Sequence, residues 1–424
     1  MTRSRLIALG FGCIVAGALL YAGELALRLL DSDPGLQAID DAAAAGRPFD
    51  ARTRSQVVAE LRARGLDAVP RIVPARLLEE TEDGSFRSRL ALDGRELLPL
   101  AGIALRTTVL CNETGDWAIY ESDRHGFRNP PGSWPDPAAT GGPGDPEIVL
   151  VGDSFTLGEC VAPGDNIAER LREAHPRTLD LGYSGNSPLF ELATLVEYGP
   201  VLRPGLVLWI FFENDLAWFD LGQSSRSPLL MRYLEPGFEQ GLSTLQPEID
   251  ALLEGLLSER YAALPLAPDE GGLVGALSRA RAHAGPADFL RLSRLRHRLG
   301  SLRHPHHEPR EPPNLALFDR TLERAQQVVS GWGGELALVY LPGVWNFDPR
   351  ASAPSFADPE TRGRLARTAA SMGIPFIDVH TAFAAHDDPL GLYSYRGESV
   401  LGSPHMNARG YALVARTIEG ALSP

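Results

Sequence analysis

Four residues of this 424-residue chain have types and settings that suit nucleophilic catalysis. Ser154 follows the apolar run 147–151 through Gly152 and Asp153. His405 stands in a loop before the last amphipathic stretch, with Asn407 placed to cap that helix. A serine hydroxyl becomes a nucleophile only when it is exposed, aligned with a base and faced by donors for the developing oxyanion. The carboxyl end of a buried strand exposes it, and a histidine that reaches the same edge can take its proton. Asn214 ends a second apolar run, VLWIFF, where a side-chain amide can donate to an oxyanion. Gly185 lies in GYSGN, where a backbone N–H can approach a substrate with no side chain in the way. Asp153 reads as the residue that bonds neighbouring backbone and holds the serine turn, and Asp215 as a structural turn residue.

The elements that must position these residues alternate strand and helix from 147 onward: EIVLVGDS, NIAERLREA, TLDLGYSG, ELATLVEYG, GLVLWIFFEND, GELALVYLP, IPFIDVH and ARGYALVARTIEGAL. Short continuous apolar strands separated by amphipathic helices predict an α/β fold with a parallel sheet covered on both faces. A mostly helical insertion interrupts the rhythm at about 221–315 and ends in a loop with His304, His306 and His307. That loop reads as solvated rather than as a metal site, because a loop broken by prolines does not guarantee the convergent geometry that metal ligands need. The Arg and Leu pattern of 288–299 suits a capping helix. Ahead of the α/β region, the Pro- and Gly-rich stretch 130–146 marks a boundary. Residues 31–146 then divide into a stalk, with Val57, Val58 and Leu61 on one face of a short helix stopping at Gly65, and a small β-rich accessory segment that includes RIVPARLL and GIALRTTVLC.

Residues 6–23 (LIALGFGCIVAGALLYAG) carry no charge and follow Arg3 and Arg5. A run of about 18 apolar residues can just span a bilayer core, and the preceding cations favour a cytoplasmic N-terminus. The expectation is a membrane anchor over residues 1–30 with the rest of the chain outside the cytoplasmic membrane; a cleaved signal peptide is the alternative, though Leu20 sits where a small residue is wanted. Cys13 falls within the membrane run. The formal net charge of -14 argues against nucleic acid as a partner, since phosphate backbones are bound by excess cations. No motif for a metal, nucleotide or other cofactor stands in the sequence. Cys111 and Cys160 either form a disulfide in an oxidising compartment or remain two independent thiols.

GDSFTLG at 152–158, GYSGN at 182–186, FFEND at 211–215 and SPHMNARGY at 403–411 resemble, in order and spacing, the four blocks of the SGNH (GDSL) hydrolase superfamily. The resemblance covers roughly 147–424 with the insertion excepted. It implies a three-layer α/β/α, flavodoxin-like sandwich, with Ser154 as nucleophile, His405 as general base, and an oxyanion hole made by the Ser154 backbone N–H, Gly185 and Asn214. The segment CNETGDWAIYESDRHGFRNPP is similar to the lead-in of a bacterial membrane-anchored subgroup associated with envelope polysaccharides, and that similarity implies a Cys111–Cys160 disulfide. One block departs from the pattern. The acid usual two or three residues before the histidine is replaced by Gly402 and Ser403, so either His405 and Ser154 act as a dyad, or a carboxylate from elsewhere, such as Glu398 or Asp378, orients the imidazole.

The activity these features imply is a serine esterase that removes an acyl group, most plausibly acetyl, from a carbohydrate or related ester outside the cytoplasmic membrane. The alternatives are an O-acyltransferase acting on envelope polysaccharide, which would use the same nucleophile, base and oxyanion hole, and a catalytically weak protein that binds glycan or joins envelope polysaccharide machinery.

Overall fold

The computed structural model describes residues 17, 20–23, 46, 48–135, 146–217, 221–262, 315–348, 360–394 and 405–423. Most of the expected anchor, the histidine cluster at 304–307, the stretch 288–299, and Glu398 lie outside them. Among the described residues no helix is long and apolar enough to cross a membrane. The chain divides into two units, Met1–Gln37 with Leu257–Arg310, and Ala38–Leu256 with Glu311–Pro424. Every residue of the candidate site belongs to the second.

The accessory segment opens with the helix Arg54–Ala63, whose Thr53 and Gln56 form a capping box. Its Val57, Val58 and Leu61 bury against Ala68 and Val109, so the helix is packed on a sheet. That sheet has three strands, β1 (Ala68–Pro70), β6 (Thr107–Cys111) and β7 (Ala118–Glu121), with β1 parallel and β7 antiparallel to β6. Between β1 and β6 lie two hairpins, β2 (Leu78–Glu80) with β3 (Phe86–Ser88) and β4 (Ala91–Leu92) with β5 (Arg95–Glu96). The RIVPARLL stretch is less strand-like than expected: Pro74 opens a 3₁₀ turn, Pro74–Leu77, because its fixed φ and missing N–H suit the first position of a helical turn.

The larger sheet is parallel throughout, built from β8 (Ile148–Gly152), β9 (Thr178–Asp180), β10 (Leu206–Phe212), β11 (Glu335–Leu341) and β12 (Phe376–Asp378) in the order β12-β11-β10-β8-β9. Its strands alternate between two buried faces. Leu150, Ile210 and Val339 pack with Phe383, Tyr411, Val414 and Ile418 of the helices Val379–Ala384 and Ala408–Leu422. On the other face Phe211 meets Phe318 of the helix Leu315–Ser330 at 5.3 Å between ring centroids. Each large apolar side chain buried this way contributes about 1.5–3 kcal/mol, which is why the strands read as unbroken apolar runs. The strand order reverses direction between β8 and β10, so the crevice at their carboxyl ends is the expected place for a ligand.

Candidate active site

Ser154 is the first residue of the short helix Ser154–Leu157, which starts just past β8. Asp153 caps it, its Oδ1 accepting the Phe155 N–H at 2.8 Å, as expected of a residue holding the serine turn. A Cβ on Gly152 would stand 2.8 Å from the Ile210 carbonyl of the neighbouring strand, so only glycine lets the chain turn this tightly. Burial raises the Asp153 carboxyl to about 6, against the pull of the Phe155 N–H, the His405 charge and a hydrogen bond from Asn214.

His405 reaches the serine from the far end of the chain. Its carbonyl is held by the Ser394 N–H at 3.0 Å and the Ser394 hydroxyl at 2.9 Å, beside an isolated bridge between Tyr393 and Met406. Asn407 Oδ1 then caps the final helix by accepting from Arg409 and Gly410, while its Nδ2 donates to the Gly391 and Tyr393 carbonyls. The imidazole Nε2 stands 2.8 Å from Ser154 Oγ. Its Nδ1 faces the Glu113 carboxylate at 3.0 and 2.9 Å, and the His405 N–H donates to the same group at 3.3 Å. A carboxylate only accepts, so Nδ1 carries the proton and Nε2 is left to accept from the serine hydroxyl. Burial alone would lower the His405 pKa, but the charge and hydrogen bond of Glu113, with Glu159 and Asp153 behind them, raise it to about 9.

Glu113 therefore occupies the place of the missing acid, and sequence reasoning overlooked it. The expectation for Asp378 is corrected: its Oδ1 accepts the His380 N–H at 3.1 Å and its Oδ2 the Thr381 hydroxyl at 3.1 Å, so it caps the helix after β12. Glu398 lies outside the described residues. A signal for Glu113 was nonetheless present. Cys111 and Cys160 are disulfide-bonded, 5.1 Å between Cα atoms, and Glu113 follows the first of them by two residues while Ser154 precedes the second by six.

Gly185 and Asn214, expected at an oxyanion hole, lie in the loops after β9 and β10. Gly185 adopts φ +74°, a left-handed conformation, and a Cβ there would stand 2.8 Å from Val73 Cγ1. Its loop is tied to the serine strand, Tyr183 N–H donating to the Gly152 carbonyl at 3.1 Å. Asn214 lies in the 3₁₀ turn Glu213–Leu216 after β10. Asp215 closes that turn by accepting the Phe212 N–H at 3.0 Å, the structural part its position suggested. The preceding Glu213 is buried and accepts from the Tyr340 hydroxyl, Trp345 Nε1 and, at 3.1 Å, Asn346 Nδ2, which ties the turn to the end of β11. The Asn214 side chain also hydrogen-bonds the Asp153 carboxylate, which links its turn to the serine turn.

Three more contacts draw the accessory segment into the site. Arg71 donates to Glu159 and, at 2.7 Å, to Ser184 Oγ, whose hydroxyl donates to Glu159 at 2.5 Å. Burial pushes the Glu159 carboxyl up, but Arg71, His405 and the Ser184 hydroxyl together hold it below the usual range. Arg128, in GFRN, is buried and donates to the carbonyls of Leu157, Gly158 and Val161 at 3.3, 2.8 and 2.9 Å, satisfying groups left open where the serine helix ends. Asn129 exchanges two 2.8 Å bonds with the Asp180 backbone. Among the described residues, the clusters with ligand-like spacing, Cys111–Glu159–Cys160 and Glu113–Cys160–His405, both count on sulfurs that the disulfide has taken, so neither offers a thiolate to a metal. A cleft of about 520 Å³ beside Val196, Phe238, Arg324 and Trp332 contains none of these residues.

No family model matches the chain, and no curated protein does. Among solved structures it is similar to a lipase/acylhydrolase from Enterococcus faecalis, with 14% identity over 65% of this chain and 97% of that one at a TM-score of 0.32. It is also similar to a G-D-S-L family protein from Desulfitobacterium hafniense, 14% identical over 65% and 98% of the two chains at 0.29. A two-domain esterase active on acetylated mannans is 14% identical over 65% of this chain and 48% of that one, at 0.28.

Proposed function

We propose that the chain is a serine ester hydrolase in which Ser154, His405 and Glu113 form the catalytic triad. The observation that carries this reading is the continuous relay from the Glu113 carboxylate through His405 to Ser154 Oγ, at the crevice where the strand order reverses. Ser154 Oγ attacks the ester carbonyl while Nε2 takes its proton. The tetrahedral oxyanion is met by the Ser154 and Gly185 backbone N–H groups and the Asn214 side-chain amide. Collapse expels the alcohol, protonated by Nε2, and leaves an acyl-serine that water, activated by the same nitrogen, cleaves. Each role except that of Glu113 follows the resemblance block by block.

The substrate class is an acylated carbohydrate or related ester, with acetyl as the acyl group, met outside the cytoplasmic membrane with residues 6–23 as anchor. The disulfide supports an oxidising compartment. The reading of a weak glycan-binding protein drew on the missing acid, and Glu113 removes that ground. The test is hydrolysis of p-nitrophenyl acetate by the full chain beside its Ser154→Ala variant, with labelling by a serine-directed fluorophosphonate. Turnover and labelling that both vanish in the variant are expected; equal rates in the two proteins would refute the assignment.

A further inference from the structure

Resting on that reading, we propose that the Cys111–Cys160 disulfide is a positioning device for the catalytic acid: it holds the Glu113 loop against His405, so the triad is complete only in the oxidised protein. Strand β6 loses regular register between Val109 and Cys111, and the chain then leaves the sheet at Asn112 in the loop that carries Glu113. The bonds that shape this loop from behind run away from the serine. Asn112 Nδ2 donates to the Asp50 carbonyl at 2.9 Å, Gly115 N–H to Asn112 Oδ1 at 3.0 Å, and Asp50 N–H to the Gly115 carbonyl at 2.7 Å. Toward the nucleophile the polar and covalent links of Asn112–Gly115 and Cys111 are few: the disulfide, the Thr114 hydroxyl on the Cys160 carbonyl at 3.1 Å, and the Glu113–His405 pair itself.

On the other side, Cys160 is one of four non-glycine residues with positive φ among the described residues, at +64°. Such a conformation persists only where the surroundings hold it. Here its sulfur is bonded to Cys111, its carbonyl accepts from Thr114, and its neighbour Glu159 is clamped by Arg71 and Ser184. Cleaving the sulfur–sulfur bond with a phosphine, which gives up two electrons and becomes the phosphine oxide with oxygen and protons from water, yields two thiols and removes the cross-link between the acid loop and the segment that carries Ser154. Glu113 must sit within hydrogen-bonding distance of Nδ1 to act, and a displacement of about 1 Å can cost about 10²-fold in rate.

The experiment is a two-by-two comparison in the full chain: disulfide intact or reduced with a phosphine, in the native sequence and in Glu113→Gln. Two readouts are followed, kcat for p-nitrophenyl acetate and the titration midpoint of the His405 imidazole by NMR. The charged groups facing that imidazole are Glu113, Glu159 with its partner Arg71, and Asp153. Reduction is expected to lower kcat about tenfold or more and to move the His405 midpoint down in the native sequence, while changing kcat less than about twofold and leaving the midpoint in place in Glu113→Gln. The same loss in both backgrounds, no loss in either, or loss of the far-UV circular dichroism of the fold on reduction would overturn the proposal, because the cross-link would then be general or idle. A Cys111→Ala/Cys160→Ala variant repeats the comparison without reductant. If Ser154-dependent turnover is absent from the native protein, the hydrolase reading fails, and the His405 titration still decides the role of the disulfide.

Discussion

Replacing Glu113 by glutamine keeps the size and one acceptor of the side chain but deletes its charge, and the consequence for pH dependence is calculable. In the native protein burial works to lower the His405 pKa, yet the Glu113 charge and hydrogen bond, aided by Glu159 and Asp153, bring it from 6.5 to about 9. At about 1.4 kcal/mol per unit, that is a preference of roughly 3 kcal/mol for the imidazolium over what free solution would give. The base acts when neutral, so the acid limb of kcat/KM for the native enzyme falls near the raised pKa. In Glu113→Gln burial is opposed only by the more distant carboxylates, and the limb moves down by at least about one unit. The plateau falls too, because the imidazolium formed in the transition state loses its partner; roughly 3 kcal/mol corresponds to about a hundredfold, and a lost triad acid can cost up to about 10⁴-fold. The assay is p-nitrophenyl acetate hydrolysis from about pH 5 to about pH 10, with Ser154→Ala subtracted. The sign for stability runs the same way. A raised histidine pKa contributes stability that is fully present below about 6.5 and is lost as the pH rises through about 9, so Glu113→Gln narrows its stability gap to native in that window. An unmoved acid limb with a plateau reduced less than about threefold would refute the place of Glu113 in the relay.

Two further substitutions test the supports of the site. Arg128→Met takes the guanidinium from the carbonyls of Leu157, Gly158 and Val161, of which Gly158 keeps the Val161 N–H at 3.4 Å, and is expected to destabilise the fold by roughly 2–4 kcal/mol, read as the shift in a urea or thermal unfolding midpoint; a change under about 1 kcal/mol would show that the clamp contributes little. Gly185→Ala must hold φ +74° with a Cβ 2.8 Å from Val73 Cγ1, so its N–H moves; kcat is expected to fall about 10- to 100-fold with KM little changed, and a KM effect alone would place Gly185 in substrate binding rather than at the oxyanion.

The parallel sheet and its helices were legible because both faces are buried. Strands such as β10 then read as continuous apolar text, and the helix cap at Asn407 stands where its side chain predicts it. The accessory segment was less legible. Pro74 turns RIVPARLL into a 3₁₀ turn, and the short strands around it draw their stability from contacts distant in sequence, which local patterning does not report.

The settings of the expected site residues were readable from the sequence alone: Ser154 and Asn214 follow the apolar strands β8 and β10, Gly185 lies in the loop after β9, and His405 precedes the final helix. The acid was not. Glu113 is 292 residues from His405 and lies in an ordinary polar loop, while Asp378, which ends a strand near the histidine in sequence, spends its carboxylate on capping the next helix. Side-chain type and local pattern determine what a residue can do. Which carboxylate meets the imidazole depends on how two distant segments pack and are joined, here through Cys111 and Cys160, and only the tertiary structure decides that.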